Sequence, residues 1–129
     1  MNTNANTKKK NVQVLTLTIL GEPCSKANSR RIVRFGARTA MIKSQKALNY
    51  AQAFKQQCRA YSMFDVDVVV SIWIWYASRR PDLDESLILD LLQDVTYKND
   101  RQVKEKHIYW MGVDKDNPRC VIEVKEKTA

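Results

Sequence analysis

The sequence predicts an α+β domain: a small mixed sheet of about four to six strands with two main helices. Three observations lead there. Residues 12–20 and 66–75 are runs rich in β-branched and aromatic side chains. Residues 44–61 and 83–93 instead carry apolar residues at three- and four-residue spacing, the mark of a helix with one buried face. The length, 129 residues, suits one domain with a modest core.

Residues 1–11 are polar and carry Lys8, Lys9 and Lys10, so they read as a flexible basic tail, leaving 12–129 as the single folded domain. In residues 12–20, Val12, Val14, Thr16, Thr18 and Leu20 alternate with Gln13, Leu15, Leu17 and Ile19, giving a strand with at least one covered face. Gly21, Glu22 and Pro23 end it. Residues 25–42 are polar and basic; short runs at 31–34 and 39–42 flank Gly36 and predict a hairpin that projects Arg30, Arg31, Arg34 and Arg38 together. Ser44 caps a helix to about Tyr61, with Ala47, Leu48, Ala51, Phe54 and Cys58 on its apolar stripe.

Residues 66–75 form the strongest strand, expected to be central and covered on both faces, with Trp73 and Trp75 packed on one of them. The following helix buries Leu87, Ile88, Leu91 and Leu92. Residues 107–111 and 120–124 complete the strands, joined by a turn containing Asp114, Asp116, Asn117 and Pro118.

Charge narrows the partners. Twenty-two Lys and Arg against 14 Asp and Glu give a net charge of +8, which favours a polyanion through long-range attraction and counterion release. No apolar run reaches the ~18 residues needed to span a bilayer, and no signal segment opens the chain, so a soluble cytoplasmic protein without a membrane partner is expected. Cys24, Cys58 and Cys120 are too few and too widely spaced for a disulfide framework or zinc site and read as reduced thiols. His107, the single histidine, reads as structural.

The acids are the informative minority. Asp82, Asp84 and Glu85 follow Arg79, Arg80 and Pro81 between the best strand and its helix; Asp100 follows Lys98 and Asn99 after that helix. Asp82 and Asp84 are two apart, so an extended backbone turns both to one side. Taken singly, an Asp ahead of a helix is an ordinary cap and Asn-Asp an ordinary turn. Taken together, the carboxylates are the hard oxygen donors that Mg²⁺ prefers, and such ions activate water for phosphodiester cleavage. A helix over residues 84–93 is about 15 Å long. Residues 94–100 can return roughly 23 Å when extended. Asp100 can therefore double back to Asp82 and Asp84.

Here the sequence resembles the RusA family of Holliday junction resolvases. The resemblance rests on Pro81-Asp82-Leu83-Asp84, the leucine-rich helix after it, Asn99-Asp100-Arg101-Gln102-Val103, and more weakly on Gly21-Glu22-Pro23 with Ser25-Lys26. It spans about residues 12–124. It implies a homodimeric α/β nuclease, bacterial or phage-encoded, that binds four-way junction DNA and makes paired symmetric nicks in recombination and repair. Mg²⁺ or Mn²⁺ would be held by Asp82, Asp84 and Asp100. The family's lysine one helical turn after the second Asp is Ile88 here, and its Asn after that Asp is Glu85. Lys98 is then the candidate catalytic cation and Glu85 a candidate extra ligand. Arg79 and Arg80, with Lys26, Arg30, Arg31, Arg34 and Arg38, are the candidate DNA contacts, since a guanidinium fork matches a phosphate. The alternative is a DNA- or junction-binding module without catalysis.

Overall fold

The structure is a computed structural model and describes residues 13–24, 30–35, 38–58 and 63–128; for 30–35 and 38–43 it describes the backbone course alone. The basic tail, Lys26 and the turn at Gly36 lie outside the described residues.

Among the described residues, six strands and two main helices follow in the order β1 (Val14–Leu20), β2 (Arg30–Phe35), β3 (Arg38–Lys43), α1 (Gln45–Gln57), β4 (Val68–Tyr76), α2 (Ser86–Leu92), a 3₁₀ turn (Asp100–Gln102), β5 (Val103–Val113) and β6 (Arg119–Glu126). β2 and β3 pair as the expected antiparallel hairpin. The other four make one mixed sheet in the order β1-β6-β4-β5. β6 runs antiparallel to both β1 and β4, whereas β4 and β5 are parallel. Parallel neighbours cannot be joined by a tight turn, so residues 77–102, with α2, form a crossover. The β5–β6 link passes the end of β4, where the Asp114 amide donates to the Tyr76 carbonyl.

One face of the sheet carries the core. Leu17, Ile122 and Ile72 stand side by side in register, and the same face buries Ile19, Val124, Val68, Val70, Ile74 and Tyr76. α1 contributes Ala47, Tyr50 and Phe54, and α2 contributes Leu87, Ile88, Leu91 and Leu92. Ser44 caps α1, its hydroxyl accepting from the Ala47 amide. The Gln57 side chain then brackets Leu20 at the end of β1, donating to its carbonyl and accepting from its amide.

The opposite face differs from the reading of β4 as covered on both sides. Val69 and Ser71 are buried, but Trp73 and Trp75 are only half-buried. Trp73 stacks on Tyr109 with ring centroids 5.5 Å apart, and Arg119 lies 4.1 Å over the Trp75 ring. The two indoles thus pack against surface neighbours and not in a second core. α1 also ends earlier than its stripe suggests, with Cys58 already extended. β5 is longer than residues 107–111 because Val103, Glu105 and Lys106 of its charged first half still pair with β4. Cys24, Cys58 and Cys120 are buried free thiols. Burial raises all three, Cys120 to about 11.

The core assignment is tested by urea denaturation. Ile122→Ala is expected to cost about 3 kcal/mol, and Val14→Thr at the exposed start of β1 less than about 0.5 kcal/mol.

Candidate active site

The crossover carries every acid singled out from the sequence, and side-chain hydrogen bonds anchor both of its ends. At the exit of β4, a Glu22 carboxylate oxygen accepts from the Ala77 amide at 2.7 Å. Tyr76 is almost fully buried, and its hydroxyl serves the loop twice: it donates to the Asp82 carbonyl at 3.1 Å and accepts from the Asp84 amide at 3.3 Å. Burial, offset in part by the Asp84 amide, raises that hydroxyl above its ordinary value. Asp84, half-buried, accepts from the Ser86 amide through Oδ1 at 2.8 Å. It therefore satisfies one of the orphan amides at the start of α2, as a capping role requires. Asp82 is exposed.

At the far end, Asp94 takes the left-handed conformation (φ 68°) just past α2 and turns the chain back. Tyr97 is buried under the return, its hydroxyl donating to the Leu89 carbonyl at 3.1 Å. Burial, then the charges of Asp100 and Asp90, push that hydroxyl up. Asn99 caps the 3₁₀ turn, and Gln102 closes the box from the other side. The Gln102 carboxamide is saturated: its oxygen accepts from the Lys98 and Asn99 amides, both at 3.0 Å, and its nitrogen donates to the Phe64 and Val66 carbonyls at 2.8 and 2.9 Å. Asp100, exposed, sits on this clamped turn.

The two ends meet beside β5. The Glu85 carbonyl accepts from the Leu89 amide, so Leu89 lies one helical turn, ~5.4 Å, below Glu85. Leu89, Asp100, Val103, Lys104, Glu105 and Lys106 line one surface depression. Lys106 opens onto it and also reaches Glu85, Nζ to Oε2 at 2.6 Å. The structure therefore ties Glu85 at the start of α2 to Lys106 of β5, on the rim of a depression that Asp100 also lines. Among the described residues no three His, Cys, Asp or Glu side chains converge as a ready metal-binding group. The donors suit a hard cation in kind, and one of them, Glu85, pairs with Lys106.

The basic candidates divide by position. Arg79 and Arg80 are exposed in the loop ahead of Asp82. Lys98 is exposed beside Asn99, its backbone amide tied to Gln102. Arg30, Arg31, Arg34 and Arg38 lie on the β2–β3 hairpin, Arg31 and Arg34 within β2 and Arg38 opening β3. His107 pairs with Glu105 on the open face of the sheet, away from α2.

The sequence matches the profile of the endodeoxyribonuclease RusA family over residues 21–125, from the Gly21-Glu22-Pro23 turn to the end of β6. The chain belongs to the RusA family. No curated protein matches it. Membership in a family of DNA endonucleases gives the acidic crossover its context. Ile88, where the resemblance led a lysine to be expected, is fully buried in the core. Lys106 was not singled out from the sequence, and neither were Tyr76 or Gln102 as supports. Only Gln102 carried a signal, the Asn-x-x-Gln spacing of a capping box.

Replacing Gln102 by Glu keeps its shape but removes the donor to Phe64 and Val66. That change is expected to cost about 2 kcal/mol in chemical denaturation and to speed hydrogen exchange at the Asn99 and Gln102 amides.

Proposed function

We propose that this chain is a metal-dependent, structure-specific endonuclease that resolves Holliday junctions by paired symmetric nicks, in DNA recombination and repair. The observation supporting the proposal, in a RusA-family chain, is that Glu85, beside the Asp82–Asp84 loop, reaches a lysine that lines the same depression as Asp100. Divalent-metal dependence is general in this family. Asp82, Asp84 and Asp100, with Glu85, would hold Mg²⁺ or Mn²⁺, which activates water and offsets charge on the scissile phosphate.

The chain's own residues supply the rest. Tyr76 fixes the backbone between Asp82 and Asp84. Gln102 fixes the turn that bears Asp100. Arg79 and Arg80, exposed ahead of Asp82, meet the phosphates on either side of the cut, and the basic hairpin with Lys26 extends the contact along the junction arms. Lys98 adds positive charge from the Asp100 side. Symmetric nicking calls for two such sites, hence a homodimer, and the domain that carries them spans 12–129, with the basic residues 1–11 as an appended tail. No helix among the described residues is long and apolar enough to cross a membrane.

A second reading, a junction-binding module without catalysis, is favoured by the lack of three converging acids among the described residues and by Ile88. A labelled four-way junction with Mg²⁺ separates the two. The nuclease reading expects paired nicks, with Asp82→Asn abolishing cutting and retaining binding. Salt-sensitive binding by the wild type with no nicking under Mg²⁺ or Mn²⁺ establishes the binding module instead.

A further inference from the structure

We infer that Trp110 is a substrate-binding residue that stacks on an unpaired DNA base beside the Asp82–Asp84 loop. The inference deepens the nuclease reading and rests on it for the substrate. In the register of the sheet, Trp110 of β5 stands beside Ile74 of β4, on the core-side face. Two residues on from Ile74 is Tyr76, whose hydroxyl is bonded to the Asp82 carbonyl and the Asp84 amide. Strands ~4.8 Å apart, rising ~3.3 Å per residue, put the Trp110 backbone about 8 Å from that of Tyr76. Earlier in β5, Lys106 on the same face reaches Glu85. The indole therefore borders the stretch from Asp82 to Glu85 along its β5 side.

The three tryptophans differ in their surroundings. Trp73 stacks on Tyr109 and Trp75 lies under Arg119, both on the opposite face. Trp110 is 47% exposed, and among the described residues no ring or cation stacks on it. An open indole face offers an unstacked base about ten-fold or more in affinity. Charge points to the same partner, because Arg79 and Arg80, exposed ahead of Asp82, suit the phosphates that flank such a base. A second copy of the chain fits this edge less well. The pairing of β5 with β4 skips Met111, and Gly112 takes φ 127°, so a bulge bends the strand next to Trp110. Lys104, Glu105 and Lys106 charge its first half. Both features discourage a further strand. Continuous duplex keeps its base faces covered, and taking a base out of the stack costs least where stacking is already interrupted, as at a point of strand exchange. Trp110 therefore favours branched DNA over duplex.

The test is binding of the full-length protein to a synthetic four-way junction and to a linear duplex of the same sequence, followed by fluorescence anisotropy without divalent ions. Trp110→Ala is expected to weaken junction binding about ten-fold and duplex binding less than about two-fold. Trp110→Phe, which keeps a ring, stays within about three-fold of wild type on the junction, and Trp73→Phe, on the opposite face, matches wild type. In the wild type, 5-iododeoxyuridine placed at the point of strand exchange crosslinks to Trp110 under near-ultraviolet light. Equal weakening on junction and duplex, no weakening at all, or a crosslink confined to Trp73, Trp75 or Tyr109 overturns the inference. So does a Trp110→Ala change that turns a wild-type dimer into monomers in sedimentation, which assigns the indole to a second copy. None of these measurements involves cutting. If Trp110→Ala binds and nicks junctions as wild type does, the inference falls and the nuclease reading stands; if binding is junction-selective through Trp110 but nothing is nicked under Mg²⁺ or Mn²⁺, the inference stands and the nuclease reading falls.

Discussion

Parallel pairing of β4 and β5 is the constraint on which the rest of this molecule depends. Two adjacent strands that point the same way force the chain to travel back along the sheet between them. Here that return carries Asp82, Asp84 and Glu85 on its outward leg and Asp100 on its last turn. α2 binds the return to the sheet by burying Leu87, Ile88, Leu91 and Leu92 on the core face of β4. A tight hairpin in place of the crossover would give a stable sheet, but no connection long enough to carry acids near both of its ends.

The acids are held by groups that are themselves held. Tyr76 occupies a core position, yet its hydroxyl fixes the backbone of the Asp82–Asp84 loop. Gln102 anchors the Asp100 turn to the chain leading into β4. Glu22, from the segment after β1, ties down the first residue after β4. Three separate parts of the fold therefore converge on the crossover, while the carboxylates of Asp82 and Asp100 stay exposed. Rigid support beneath exposed acids is the arrangement that preorganised chemistry requires. The positive excess elsewhere in the chain supplies the attraction for a phosphate backbone.

Much of this was legible in the sequence, and what was hidden has physical causes. β4 announced itself because only Ser71 interrupts its apolar run, and both helices did so through their apolar stripes, although Leu48 of the first is exposed. β5 was only half visible: Lys104, Glu105 and Lys106 belong to an edge strand, where charges are tolerated and the alternation fades. The same disguise concealed Lys106, whose ion pair with Glu85 depends on the direction of a pleat. Asp82, Asp84 and Asp100 could be named from spacing and family resemblance. Their supports could not, because Tyr76 reads as core and Gln102 acts on carbonyls far away in the chain. The face bearing Trp73 and Trp75 was read as buried because a strand's hydrophobicity does not reveal which of its faces a helix covers.

The proposed nuclease activity requires the loop after β4 and the turn before β5 to act as one ion-binding unit. Paramagnetic broadening in a ¹H–¹⁵N spectrum, on adding sub-stoichiometric Mn²⁺, tests it most directly. The amides of Asp82, Asp84 and Glu85 and those of Asp100 and Arg101 are predicted to broaden together at the same ion concentration. Broadening confined to one of the two groups, or spread evenly over acids elsewhere on the surface, contradicts it.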